Sequence, residues 1–536
     1  MTVYPTGEAA FQPTVEDRLH QIFARFADEP GPSYHHSGGD LSYADLHTRA
    51  ALLRHQLATG PLGGTERPPV LIWGHKDYRY VIAYWACLLG GWALVPVESD
   101  TPVERVRKIA ETCGAGALLI ADSTLGIEAE ITDLLPVVRV DDGGSTALAA
   151  TDEAVSRPPY VGFGPEDVAY IMFSSGTLGQ PKGIRVTYAN LVDFIDWIAV
   201  LLPEAKTWQG VTGNIRYCFD VSLFEIWTAW LHLLPVSALD HFELSNSNRL
   251  IRKLAADRVS FWVSTPSIVR LFLKNKRFDG ENLPFCGTFL FCGEPLTKTI
   301  VQQLFARFPG CRVVNTYGPT ECTVAVTSID ITEAHLADVD DLPIGNVRPG
   351  TVLEHSTHAK TRAKVNEGKA AREVYIRGAS VGSGYVDLPD KQARAFPETG
   401  LYRTGDWGYC TPCGVWYFKG RMDRETKIQG VRIDLNDVEN SLRALDSIED
   451  AVVSVYSLGG QNRALNAFVL GPDSAAELQA LAEQLAVELP SYLVPRFWYA
   501  DFAVKLNNNS KLDHKEVLAA AGTAQARYVH SVLPAE

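Results

Sequence analysis

VAYIMFSSGTLGQPKG, residues 168–183, runs from an unbroken apolar stretch into a loop of small residues, and its reading decides the fold. Residues 168–173 have strand length and no polar alternation, which predicts a strand buried on both faces. The loop that follows, SSGTLGQPKG (174–183), supplies what a polyphosphate needs. Small residues such as Gly176 let backbone N–H groups approach phosphate oxygens, the hydroxyls of Ser174, Ser175 and Thr177 add donors, and Lys182 brings charge. It is not a Walker loop, because a Gly-Lys-Ser/Thr ending is missing and Pro181 stands where a helix would begin. On this stretch alone, a Gly-rich turn without a ligand is the plain alternative.

Outward from there, the strand-length runs TFLF (288–291) and CRVV (311–314) alternate with helical patterns such as 297–307, between about residues 66 and 420. This alternation predicts an α/β fold of layered sheets and helices. Val81–Val97 falls short of the ~20 residues of a membrane span and is broken by Gly90, Gly91 and Pro96, so a buried helix leading into a buried strand is expected. Residues 355–375 are polar and Lys/Ala-rich and read as an exposed excursion between strands. After Arg421 the pattern becomes a strand (426–433), a helix (434–445), two strands (451–457 and 464–470) and a helix (475–488), a small α+β unit. The expected organisation is a large N-terminal core over 1–420, a hinge at 421–423 and a small mobile C-terminal domain over 424–536.

Composition narrows the functions. The 536 residues suggest three or four modules of roughly 150 residues. With 46% hydrophobic and 21% charged residues, the chain is globular rather than disordered or fibrous. A net charge of -14 argues against nucleic acid or an anionic membrane as a main partner, so an anionic ligand must be met by a local site. Nine cysteines, an odd number, and the absence of a charged and apolar leader in MTVYPTGEAA predict a reduced, cytoplasmic protein.

Further motifs follow the phosphate loop in a fixed order: NTYGPTE (315–321), YRTGD (402–406), GRMDRETKIQGVRIDL (420–435), LPSYLVP (489–495) and SKLD (510–513). Together they resemble the adenylate-forming superfamily, specifically amino-acid adenylation domains of nonribosomal peptide synthesis and D-alanine:carrier-protein ligases, over nearly the whole chain. FLFCGEPL (289–296) with NTYGPTECTVAVTSIDIT (315–332) looks closer to the D-alanine ligase branch. The resemblance implies ATP and Mg²⁺ as cofactors and assigns roles by position. Tyr317 would stack on adenine, with Asn315, Thr316, Gly293 and Glu294 around the nucleotide; outside the motif a core tyrosine and a turn asparagine would explain them as well. Thr320 would meet the α-phosphate and Glu321 would hold Mg²⁺, a hard cation suited to carboxylate and phosphate oxygens. Asp406 would accept the ribose hydroxyls and Arg421 would contact the ribose side, an interdomain salt bridge being the plain alternative for either. Lys511 would be the catalytic lysine, a mobile charge that stabilises the phosphate as the carboxylate attacks.

Asp220, in YCFDVSLFEIW (217–227), stands where amino-acid adenylation domains bind the substrate ammonium; as a plain residue it would cap a helix over 221–231. By the same resemblance Val221, Phe224, Val263, Leu290, Cys292, Thr316, Val324 and Ala325 line the substrate pocket. None is charged, so a charged substrate side chain would be left unpaired and a small aliphatic amino acid is expected: D-alanine, 2-aminobutyrate or valine. The resemblance also implies rotation about Asp423 after adenylation, which would bring Gly430 to the tunnel for a phosphopantetheine thiol. Only 23 residues follow Asp513, so the carrier protein is expected to be a separate chain, and no membrane insertion is expected.

Three positions depart from the family pattern: Leu178 replaces a threonine of the phosphate loop, Ser510 a glycine before the lysine, and His514 an arginine. They predict altered phosphate handling in a working enzyme. His35-His36 with Asp40 reads as a turn between short strands, and Cys410-Thr-Pro-Cys413 as a Pro/Gly turn without a second metal-ligand pair. Two rival functions stay open at this point. One is an acyl-CoA synthetase for an amine-free acid, against which Asp220 argues; the other is a catalytically silent nucleotide-binding scaffold, against which Lys511 and Glu321 argue.

Overall fold

The computed structural model describes residues 13–36, 39–122, 131–140, 162–174, 181–239, 246–338, 341–356, 364–366, 369–422, 424–428, 431–458, 461–472, 474–500 and 526–530. Among these, the expected α/β layers form around two large sheets. In the seven-stranded sheet the order is Gly384–Tyr385, Lys182–Thr187, Val168–Ser174, Leu94–Val97, Val70–Trp73, Ala117–Ile120 and Val137–Arg139. Ala169–Met172 are buried, so the opening sequence stretch lies within this sheet as its apolar run requires. Its strand turns back on Lys182–Thr187 in antiparallel register, Ser174 opposite Lys182, so both ends of the phosphate loop are clasped by one pair. Val81–Val97 is indeed a buried helix, Tyr78–Gly90, followed by the strand Leu94–Val97.

The second large sheet has nine strands. Val211–Gly213, Phe261–Ser264, Thr288–Phe291 and Arg312–Tyr317 run parallel and adjacent, with Val263 level with Leu290 and Leu290 level with Val314. Their carboxyl ends lie along one edge of the sheet, the usual ligand position in such sheets. The last of these strands was expected over 311–314 but continues to Tyr317, because its polar end residues pair with Thr327–Ile331 on the far side.

A smaller sheet of Thr351–His355, Lys369–Gly378, Leu401–Cys410 and Trp416–Arg421 completes the large region. It corrects the reading of 355–375 as an exposed excursion. Lys364–Asn366 pairs with the long strand Lys369–Gly378, in which Ala371, Glu373, Val374 and Tyr375 are buried. The Lys/Ala composition concealed a strand whose buried face is part alanine.

The C-terminal region has its own apolar core, drawn from Ile428 to Trp498. Here the single strand expected over 426–433 is a hairpin, Glu425–Ile428 against Val431–Asp434, with Ile428 opposite Val431. A glycine between two alternating runs is a turn signal that outweighs strand continuity. Asp434 then caps the helix Leu435–Arg443 through Asn436 N. Asp450–Leu458, Gln461–Leu470 and the helix Ala475–Glu488 follow, and Phe497–Tyr499 and Tyr528–Val529 extend the sheet. The large and small regions touch where the Phe219 ring meets Tyr492 at 6.4 Å and packs on the small core.

Among the described residues no helix is long and apolar enough to cross a membrane. All nine cysteines are free thiols. His35 and Asp40 face each other across a short hairpin, and Cys410 and Cys413 are exposed at the turn before Trp416–Arg421.

Candidate functional site

The expected pocket residues are buried. Val221, Phe224, Val263, Leu290, Cys292, Val324 and Ala325 belong to one buried apolar cluster, and Thr316 beside them donates its hydroxyl to the Phe291 carbonyl at 2.9 Å. Three parallel strands supply Val263, Leu290 and Thr316, while the start of the helix Ser222–His232 supplies Phe224. Two glycines allow the walls to close. Gly293 adopts a left-handed φ of +93°, and a Cβ on Gly318 would stand 2.4 Å from the Ala325 Cα. Thr323 and Val324 also adopt positive φ, 55° and 69°, a costly conformation for β-branched residues and one found where the surroundings fix a functional bend.

Asp220 is buried at the edge of this cluster. It is not the helix cap, since the helix begins two residues later at Ser222 and its N-cap is Val221, with no side-chain bond. Its Oδ2 is buried with no hydrogen-bond partner among the described residues. Burial pushes its pKa up to about 6, against the pull of the Thr320 hydroxyl and the charge of Lys427. An unpartnered buried carboxylate oxygen beside an uncharged pocket is an acceptor for a cation small enough to enter.

Of the residues expected around the nucleotide, Tyr317, Asp406 and Arg421 come together. Tyr317 donates its hydroxyl to Asp406 Oδ2, and Arg421 Nη1 donates to Asp406 Oδ1 at 2.6 Å. Burial raises the Asp406 pKa despite both partners. Asn315 donates its amide to the Pro343 carbonyl at 2.7 Å, which pins the strand end. Glu294 accepts from Ser267 N at 2.9 Å. Arg105 donates to the Ser174 carbonyl at the loop entrance.

Glu321 is fully buried and every contact it makes is cationic or a donor. Arg432 Nη1 lies 2.6 Å from Oε2, Tyr385 donates to Oε1 at 2.9 Å, and Lys182 Nζ lies 3.5 Å from Oε1. Burial pushes the carboxyl up, yet the charges of Arg432 and Lys182 outweigh it and hold Glu321 well below the usual carboxylate range. Glu425 joins the network, accepting from Arg432 and Arg421 and lying 3.9 Å from Lys182. Arg432, Glu425 and Tyr385 form the network around Glu321, and the sequence reading did not single them out. The signal lay in the hairpin: Lys427 is directly opposite Arg432 and two residues from Glu425, so all three share one face. The charge of Lys427 on that face acts on Asp220, Cys292 and Asp406. Asp437, one turn into the next helix, is buried with both oxygens unpartnered among the described residues.

Ser175, Gly176, Thr177, Leu178, Asp423, Gly430, Ser510, Lys511 and His514 lie outside the described residues.

The strand pair that flanks the 175–180 loop, the carboxyl ends of the parallel strands and the buried Asp220 lie among the residues that the family resemblance singles out. Residues 19–386 match the AMP-binding enzyme family, and the chain belongs to that family. Over 487 residues it is 32% identical to the D-alanine--D-alanyl carrier protein ligase of Bacillus cereus, covering 89% of this chain and 94% of that one. Its fold is similar to that of the Vibrio cholerae adenylation domain AlmE, solved with glycyl-adenosine-5'-phosphate, at a TM-score of 0.76 and 22% identity over 97% of this chain and all of that one. The amide bond synthetase McbA from Marinactinospora thermotolerans shares the fold at a TM-score of 0.77 and 19% identity, covering 92% and 98% of the two chains.

Proposed function

We propose that this chain is an ATP-dependent, AMP-forming ligase that activates a small aliphatic amino acid and transfers it to the phosphopantetheine thiol of a separate carrier protein. One observation carries the reading: the buried, unpartnered Asp220 Oδ2 beside a pocket without charge. The similarity to the Bacillus cereus D-alanine--D-alanyl carrier protein ligase supports D-alanine as the first candidate, with 2-aminobutyrate and valine next. Each added methylene changes pocket affinity by only about 1–3 kcal/mol, so these three are the natural competitors.

In the first half-reaction a substrate carboxylate oxygen attacks the α-phosphorus of ATP and pyrophosphate leaves. Asp220 holds the ammonium and the pocket walls exclude water from the reacting carboxylate. Ser174, Ser175, Gly176, Thr177 and Lys182 cradle the phosphates, and Thr320 steadies the α-phosphate. Tyr317 and Asp406, with Gly293, Glu294, Asn315, Thr316 and Arg421, hold adenosine. Glu321 is the residue that would hold Mg²⁺, whose charge would offset that of the phosphates when bound. Its acceptor-only chemistry and its ionised state suit a hard cation. Lys511 delivers positive charge from the small domain. In the second half-reaction the carrier thiol attacks the acyl carbonyl carbon, AMP leaves and the thiol proton passes to solvent.

The large region (1–420) and the small one (424–536) then act as two bodies about a hinge at 421–423, with Asp423 as pivot. The Glu425–Asp434 hairpin lies against Glu321, which supports this arrangement as the one used for transfer, with Gly430 at the thiol tunnel. Nine free thiols fit a reducing cytoplasm.

Amino-acid-dependent ATP–pyrophosphate exchange with D and L amino acids and their amine-free counterparts tests the reading. Exchange should need an amine and favour D-alanine, 2-aminobutyrate or valine. Exchange driven equally well by an amine-free acid would overturn it.

A further inference from the structure

The loop that delivers Asp220, residues 214–220, is held along its backbone by buried charges that take no part in either half-reaction. Glu225 Oε1 accepts from Asn214 N at 2.8 Å and Thr212 Oγ1 at 3.2 Å, and its Oε2 accepts from Ile215 N at 3.2 Å. Glu225 belongs to the same helix that begins just after Asp220, so these bonds close a ring from residue 214 to residue 225 with Asp220 inside it. Lys76 Nζ donates to the Ile215 carbonyl, lies 3.7 Å from Glu225 Oε2 and sits 3.9 Å from the centre of the Tyr217 ring. Glu98 accepts from Tyr217 N at 3.1 Å with one oxygen and contacts His75 Nδ1 at 2.6 Å with the other. The Tyr217 and Tyr34 hydroxyls bond at 2.7 Å, and Arg216 pairs with Asp100 at 2.8 Å on the outer side.

Lys76 and Glu225 are essentially unexposed. Charges are costly to bury unless they are paired and hydrogen-bonded, and each of these is spent on the backbone of one short loop. Backbone amides in a bend could be met by neutral groups or by water at the surface. Ionised partners instead make stronger, directional bonds that fix the loop in one place.

We infer that Lys76, Glu98 and Glu225 are positioning residues for substrate ammonium recognition: they lock the 214–225 ring so that Asp220 is presented at one point in the pocket. The inference rests on the reading of Asp220 as the ammonium acceptor. Loosening the ring lets Asp220 relax toward solvent and the amine loses its fixed partner, while the nucleotide-side residues stay in place on other strands. The clamp therefore sets the preference for amino acids over amine-free acids as well as affinity.

The test uses the full chain with Lys76→Met and Glu225→Gln, measuring KM for the preferred amino acid and for ATP by exchange, with a thermal melt beside each. The expected result is an amino-acid KM raised at least about ten-fold with ATP KM within about two-fold, and amine selectivity lowered by a similar factor. Glu98→Ala, which removes the acceptor of Tyr217 N, should raise the amino-acid KM likewise, whereas Glu98→Gln, which keeps it, should stay within about three-fold of wild type. If Lys76→Met does not fold, the isosteric Glu225→Gln decides alone. Unchanged amino-acid KM, or kcat and both KM values deteriorating together with the melting temperature, overturns the inference. Wild-type exchange that is amine-selective alongside flat variants overturns the clamp only, whereas wild-type exchange indifferent to the amine overturns the reading of Asp220 and the clamp with it.

Discussion

The two sides of the proposed site are made from different materials. The proposed substrate side is apolar, contributed by strands of one sheet and the helix Ser222–His232, and its Asp220 Oδ2 is buried without a partner among the described residues. The proposed nucleotide side is rich in ion pairs, two of which cross from the large region to the small one, Arg432 to Glu321 and Lys182 to Glu425. Close packing tolerates no displacement and therefore suits discrimination between substrates that differ by a methylene. Ion pairs at a cleft can trade one partner for another of the same sign, so they suit a surface that must release and re-form when phosphates and the small domain come and go.

That contrast can be broken most sharply at Asp220. Asp220→Ala should cut kcat/KM for the preferred amino acid by about a hundred-fold or more while ATP KM stays nearly constant, because a charged, desolvated contact is lost outright. Comparable losses in both parameters would mean that the two sides are not separable. Next in size is Arg432→Ala, which leaves Glu321 and Glu425 with fewer cations and frees the hairpin. Transfer to carrier, followed in a single turnover from preformed aminoacyl-AMP, should fall at least about ten-fold more than exchange. An equal fall in both would remove the hairpin from the transfer step.

The pH dependence sharpens the substrate side. Burial raises Asp220 to about 6, and only its ionised form attracts an ammonium. Below pH 6, kcat/KM for the amino acid should therefore drop about ten-fold per unit, with a plateau above, and an amine-free acid should not share this limb. The smallest effect concerns stability. Burial raises Asp437 to about 7, helped by Asp434 and opposed by Lys391 and Lys182. A raised acid binds its proton more tightly when folded, so its ionisation costs stability as pH rises from the ordinary carboxylate range through 7. Asp437→Asn should thus stabilise the protein by about 1–2 kcal/mol at pH 8 and by nothing measurable at pH 4, checked by thermal melts at both.

Much of this arrangement was legible in the sequence because it rests on periodicity and on short spacings. The strand at 168–173 is such a local pattern, and the structure places it in the sheet as its apolar run requires. Arg432, Glu425 and Tyr385 were not legible. Their roles depend on a hairpin folding back on Glu321, a contact 111 residues apart in the chain for Arg432, and charged residues on an exposed-looking hairpin read as ordinary surface. The strand Lys369–Gly378 was hidden for a related reason, since alanines on its inner face carry little hydrophobic signal. The cap offered as the plain alternative for Asp220 is instructive in the other direction: the residue type suits a helix start, but here Val221 is the N-cap, and Asp220 Oδ2 has no partner among the described residues.

Phe219 adds a consequence of its own. It immediately precedes Asp220, yet its ring is seated on the core of the small region and meets Tyr492. A guest that fits badly and pushes the 214–220 loop aside also tilts the seat on which the small region rests. Misfit would then be felt twice, once as weak capture and once as poor handover, giving the enzyme a built-in second inspection of its cargo.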